Sequence, residues 1–270
     1  MRGTGSSGAS RSLVMWDGIP MNDPFGGWVY WTRFAPDQID RVEVSRGAST
    51  SVFGDRAMGG AIALFSREAE PGSVRFSYEG GNRNTHELTG GVSHVWKRFA
   101  ASAQVRAFTT EGYFIVPESI RGAVDTPAGV DFVAGNARFD ILGGAQRLFL
   151  KLDVITEDRA NGTVLVRNST SLGTLSANYS WQRGADGISV IGYHTREEYR
   201  ATFSSVVANR SSERLTFRQV VPSEATGAAA YWSHSSTAWN LLAGADTERV
   251  EGFSTDYLVP TGTRIGGGDR

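Results

Sequence analysis

Apolar and polar residues alternate with a period of two along most of this chain, the pattern of strands with two unlike faces. In Arg147 to Ile155 (RLFLKLDVI), Leu148, Leu150, Leu152 and Val154 share one face, and Phe149, Lys151 and Asp153 share the other. Ala101 to Ala107 and Leu175 to Trp181 alternate in the same way, as do shorter runs at 74–78 and 239–245. Turn signals separate these runs: GGNRN at 80–84, NG at 161–162, GADG at 184–187 and ANRSS at 208–212. From about Ser73 onward the pattern predicts roughly nine or ten strands in up-and-down order. Glu111 to Val130, with Pro117 and Pro127, reads as one long loop. The first 70 residues differ: short strand-like runs (SLVMW, RVEVSR, AIALFSR) stand between Gly-rich irregular segments. A boundary falls near Glu68 to Gly72, giving two units, 1–70 and 71–270.

Composition narrows the class. The chain has 270 residues and a net charge of −1, with no basic stripe, so nothing marks a nucleic-acid partner. Mean hydropathy is −0.25. The stretch with fewest charges, Ala225 to Ala245, is too polar at its centre (SHSSTAWN) for the roughly 20 apolar residues of a spanning helix. That excludes a helical membrane protein, but not a membrane barrel, whose alternating strands have low mean hydropathy. Glycine is abundant, 33 of 270 residues. Cysteine is absent, which removes disulfides, thiolate nucleophiles and Cys-ligated metals. No signal peptide opens the chain, so either the protein is cytosolic or its true start lies upstream.

Catalytic and metal signals are weak. Gly3 to Gly8 (GTGSSG) matches a dinucleotide fingerprint formally, but no strand precedes it and a strand-like run follows, so it reads as a Gly/Ser loop. His86, His94, His194 and His234 have no metal-ligand spacing, no nucleophile elbow occurs, and Glu197/Glu198 read as solvated charges. An enzyme is not expected, and no cofactor or metal is implied. Four glycosylation-type sequons occur, at Asn161, Asn168, Asn178 and Asn209, and carry no argument in a Ser/Thr-rich β protein.

The informative stretch is Leu13 to Arg67. LVMW reads as a buried strand, and Asp17-Gly18 as a turn. Pro20, Pro24 and Gly26-Gly27 keep the next loop irregular. Ile39, Val42 and Val44 form a second strand, Arg46-Gly47 ends it, and Gly54, Gly59 and Gly60 allow close approach before AIALF. This stretch resembles the C-terminal half of the plug domain of TonB-dependent outer-membrane transporters. The family pattern is a strand ending in D-G-x-P, an outward loop, I-x-R-V-E-V-x-R-G, then G-x-x-A-x-G-G-x-I and a closing strand. Asp17, Gly18 and Pro20 match it, as do Ile39, Arg41, Val42, Glu43, Val44, Arg46 and Gly47, and then Gly54, Ala57, Gly59, Gly60 and Ile62. Met1-Arg2-Gly3 is similar to the tail of an earlier I-R-G strand of the family.

The resemblance implies a mainly β protein: the C-terminal half of a plug (1–70), then an antiparallel up-and-down transmembrane β-barrel (71–270) holding about 9–10 of an expected 22 or so strands. The chain is therefore expected to be an internal fragment. The full protein is expected to sit in the bacterial outer membrane among its lipids. There it would bind a scarce solute (siderophore, cobalamin, glycan or metal complex) and import it with energy from TonB and its inner-membrane complex, gripped through an N-terminal box that this sequence lacks. The alternative is a secreted all-β binding module without a membrane role. Asn22, Asp23, Phe25, Trp28 and Tyr30 are the candidate ligand residues, on an aromatic loop held by a rigid scaffold. Trp31, nearest the next strand, is expected to pack. Glu43 and Arg46 match family positions that pair with lumen charges of the barrel.

Overall fold

The computed structural model describes residues 11–47 and 55–269. The glycine-rich 3–8 motif, the Met1-Arg2-Gly3 tail and Gly54 lie outside the described residues. Four strands build the first sheet: β1 (Leu13–Trp16), β2 (Ile19–Pro20), β3 (Ile39–Arg46) and β4 (Gly60–Ser66). Their order is β2-β1-β4-β3, with β1 and β4 parallel and the other pairs antiparallel. The turn from β1 to β2 needs positive φ at both Asp17 (54°) and Gly18 (84°), which explains a short polar residue followed by glycine.

A second sheet holds ten antiparallel strands in strict sequence order: β5 (Ser73–Gly81), β6 (Thr85–Val95), β7 (Phe99–Tyr113), β8 (Ala128–Gly143), β9 (Gln146–Ala160), β10 (Arg167–Arg183), β11 (Asp186–Val206), β12 (Glu213–Ser235), β13 (Asn240–Leu258) and β14 (Arg264–Asp269). The long loop is shorter than its sequence suggests, because β7 runs to Tyr113 and β8 starts at Ala128. Connections alternate in length. Residues 96–98, 144–145, 184–185 and 236–239 are tight, whereas 114–127 and 161–166 are longer. The sheet curves around the first four strands without closing: its edges, β5 and β14, pair with no strand beyond.

The faces of β9 are those its sequence requires. Leu150, Leu152 and Val154 are exposed, whereas Phe149, Lys151 and Asp153 are buried. The outer row continues across neighbouring strands, with Val92, Ala103, Ala137, Leu152 and Leu175 in register. Exposed Trp96, Phe99, Phe139, Trp232 and Trp239 gather at the tight-turn end. β11 and β12 are the longest strands of the sheet, with 21 and 23 residues.

The small sheet has little core of its own. Val14, Trp16, Ile19, Met21, Phe34 and Leu64 pack together and close against Ile191 of β11, with Tyr193, Ala229 and Tyr231 around it. The inner face of the large sheet thus covers one side of this core.

Candidate functional site

The loop after β2 is held by its own side chains. Asn22 Oδ1 accepts from Val14 N at 2.9 Å, and its Nδ2 donates to Ser12 O at 3.1 Å and Gly27 O at 2.9 Å. Asp23 is buried, and its Oδ1 accepts from the amides of Gly26 and Gly27. Both polar residues therefore brace the loop. Gly26 is required, since a Cβ there would lie 1.8 Å from the Trp28 ring.

The aromatics of the loop meet the barrel wall. The Phe25 ring lies against Gly252 of β13, where a Cβ would come within 2.7 Å of it. Trp28 makes an edge contact with Tyr199 of β11, centroids 5.6 Å apart. Tyr30 is buried among Phe132, Ala134, Ile155 and Leu172. Its hydroxyl donates to Glu197 Oε1 at 2.7 Å and accepts from Thr170 Oγ1 at 3.1 Å. Burial, and then the Glu197 carboxylate, push the Tyr30 phenol above its ordinary range. The expected packing residue, Trp31, is instead 54% exposed and only tilts against Phe34. Chain direction explains the reversal: the 3₁₀ turn at Trp31–Arg33 aims Arg33, not Trp31, inward.

Charged contacts join the two sheets. Lys151 of β9 is 3% exposed, and its Nζ donates to Asp17 Oδ2 at 3.0 Å and Ser66 Oγ at 3.2 Å. It also stands 3.2 Å above the Trp16 ring and 3.7 Å from Asp153 Oδ2. Asp17 accepts from Ser66 N at 2.8 Å as well, and Asn178 of β10 reaches its carbonyl oxygen. Burial alone would raise the Asp17 carboxyl; the Lys151 ammonium and the Ser66 hydrogen bonds outweigh it and hold the group below its ordinary value. Arg33 is buried, donates to Thr174 Oγ1 at 3.2 Å, and is balanced by the charges of Asp153 and Glu197. Arg56 pairs with Glu248 of β13, and Glu68 with Arg147 of β9.

Glu43 pairs with Arg41 of the same strand at 2.9 Å, with both side chains exposed, and Arg46 is exposed at the end of β3, an edge strand of its sheet. The motifs singled out Asp17 only as a turn residue. Lys151 and Asp153 were visible as charges interrupting an alternating run, but their partner lies over a hundred residues away in sequence.

At the end with the longer connections, the inner wall opens into a cavity of about 1260 Å³. Arg159, Arg167, Asn168 and Gln219 are among its lining residues. None of the five candidate ligand residues lines it directly. Trp28 reaches it through Tyr199, whose hydroxyl accepts from Asn168 Nδ2. Its rim is tied together: Arg210 pairs with Asp125 across two connections, and Thr126 N donates to Gly162 O of a third.

Residues 1–61 match the TonB-dependent receptor plug domain. No curated protein matches the chain in sequence. Among solved structures, it is similar to the ferripyoverdine receptor of the outer membrane of Pseudomonas aeruginosa, with 13% identity and a TM-score of 0.77 over 97% of this chain and 42% of that one. It is also similar to the copper transporter OprC, with 12% identity and a TM-score of 0.75 over 97% and 43% of the two chains. The ferric-catecholate import receptor Fiu of E. coli gives 14% identity and a TM-score of 0.70 over 92% and 43%. At such identities the likeness is one of fold, and the chain spans about two-fifths of the length of these structures. With that plug at residues 1–61 and the receptors' fold throughout its sheets, the chain has the architecture of a TonB-dependent receptor.

Proposed function

We propose that this chain is the plug-and-wall portion of an outer-membrane receptor that binds a scarce solute at the cell surface and admits it to the periplasm with energy delivered through TonB. One observation carries the reading: a small sheet, residues 13–66, seated on the inner face of a lipid-type barrel wall through buried polar contacts alongside apolar ones. A seat of this kind holds firmly when dry and parts once water enters, as a movable stopper must. On this reading residues 1–70 are the plug and 71–270 the wall. The proteins of similar fold are a ferric-catecholate import receptor, a copper transporter and a ferripyoverdine receptor. The cavity is large enough for such a ligand, and its lining offers both cationic and acidic side chains, Arg167 and Arg218 beside Glu111 and Asp158. A metal complex is therefore the proposed solute.

Trp28 and Phe25 act here by seating the loop below the cavity, and Asn22, Asp23 and Tyr30 by keeping it rigid. The test is uptake of radiolabelled ferric chelates and copper complexes by cells relying on this receptor, with and without TonB. TonB-dependent uptake of one of them establishes the function; binding without TonB-dependent entry removes it. A secreted module is separated by fractionation, since it would be found outside the outer membrane.

A further inference from the structure

The buried charges between plug and wall divide in an unusual way. Lys151 and Asp153 belong to β9, and Asp17 and Arg33 belong to the plug. The plug thus brings one cation and one acid, and the wall brings one cation and, with Glu197 of β11, two acids. In the seated state Lys151 bonds Asp17 across the interface at 3.0 Å, and Arg33 bonds Thr174 Oγ1 of the wall at 3.2 Å. The Lys151–Asp153 contact within the wall is longer, 3.7 Å, and Asp153 Oδ1 has no hydrogen-bond partner among the described residues, although Asp153 is 4% exposed. A buried carboxylate with an unused oxygen beside a lysine held by another carboxylate is underemployed where it stands. Arg138, the other wall cation near Lys151, is already matched by Asp140 at 2.8 Å.

We propose that Asp153 is a reserve counter-ion: when the plug leaves, Lys151 swings from Asp17 to Asp153, so the wall is not left with an unpaired lysine. The proposal rests on the receptor reading above and adds a positioning residue to it. A buried ion pair is costly to break mainly because it strands a charge. Because Lys151 stands between two carboxylates, a small rotation of its flexible side chain replaces one partner by the other. The seat is thereby specific when closed and inexpensive to open.

These 270 residues hold no cysteine, so Ala134→Cys, in a receptor with any cysteine elsewhere replaced by serine, is the reporter. Ala134 is 4% exposed on the inner face of β8, packed beneath Tyr30, and a maleimide reaches it only after the plug departs. Labelling rates are measured on the whole receptor in isolated outer membranes, in urea too dilute to unfold the wall. Asp153→Asn is expected to slow labelling at least tenfold, because the departing plug then strands Lys151; Arg33 keeps Glu197 and Thr174 in this variant. Asp153→Glu is expected to restore the original rate. Asp153→Asn combined with Lys151→Met is expected to label at least tenfold faster than Asp153→Asn alone. A purely structural Asp153 predicts the opposite sign, so labelling of Asp153→Asn at the original rate or faster overturns the proposal. Labelling of the reporter at the rate of unfolded chain without urea overturns the plug reading itself, and the proposal with it.

Discussion

Lys151 Nζ and Asp17 Oδ2, 134 residues apart in sequence, lie 3.0 Å from each other with both side chains almost wholly buried. This bond fixes the tip of the first plug strand to the wall. Lys151→Ala leaves the buried Asp17 without its cation, and is expected to destabilise the seated plug by about 3–5 kcal/mol. Asp17→Asn is expected to cost less, since Lys151 retains Asp153. Urea titration of plug-wall dissociation for the two variants checks the order; equal losses would contradict it.

Tyr30 links the loop to Glu197. Tyr30→Phe keeps the ring among Phe132, Ile155 and Leu172 but removes the donor to a buried carboxyl oxygen, a loss of about 1–3 kcal/mol. The phenol is raised above its ordinary 10.0, so its contribution to stability is complete below pH 10.0 and declines as the pH rises beyond it. In Tyr30→Phe that part of the alkaline decline is expected to disappear, which denaturation midpoints from pH 8 to 12 would reveal.

The rim pair Asp125–Arg210 behaves in the opposite sense. Hydrogen bonds from Arg210 hold the Asp125 carboxyl down at about 2 from an ordinary 3.8. Its contribution is complete above pH 3.8 and is lost as the pH falls towards 2. Cross-linking between cysteines placed in connections 114–127 and 207–212 is expected to be unchanged from pH 8 to 5 and to weaken below 4. Asp125→Asn is expected to weaken it at every pH.

Adjacent residues of β9 are expected to respond oppositely to charge. Leu152 stands on the exposed apolar face beside the buried Lys151, and Leu152→Arg is expected to cost ~2–4 kcal/mol of insertion stability in lipid. In a secreted module the same exposed substitution would be nearly neutral. Folding into vesicles, followed by heat-sensitive gel mobility, distinguishes the two.

Phe25 rests on a bare stretch of backbone. Gly252→Val would push into its ring, displacing the loop without touching the cavity lining, and is expected to cost about 1–3 kcal/mol. Solute affinity falling with the seated fraction of plug would show that the loop acts through position.

Much of this architecture was determined by the sequence itself. Period-two alternation assigned Leu150 and Lys151 to opposite faces, because a strand turns its side chains through half a revolution per residue whatever it pairs with. Asp17-Gly18, with its positive φ, and the glycines before β4 marked the plug pattern for the same local reason. Only the tertiary structure decided which groups meet. The sequence put Trp31 in the packing; the fold exposed Trp31 and joined the two sheets through Asp17, Tyr30 and Arg33 instead. Nothing local distinguishes a charge that will face water from one that will face a partner a hundred residues later. That outcome depends on sheet order and on how one curved sheet encloses another, and both are properties of the whole chain rather than of any stretch of it.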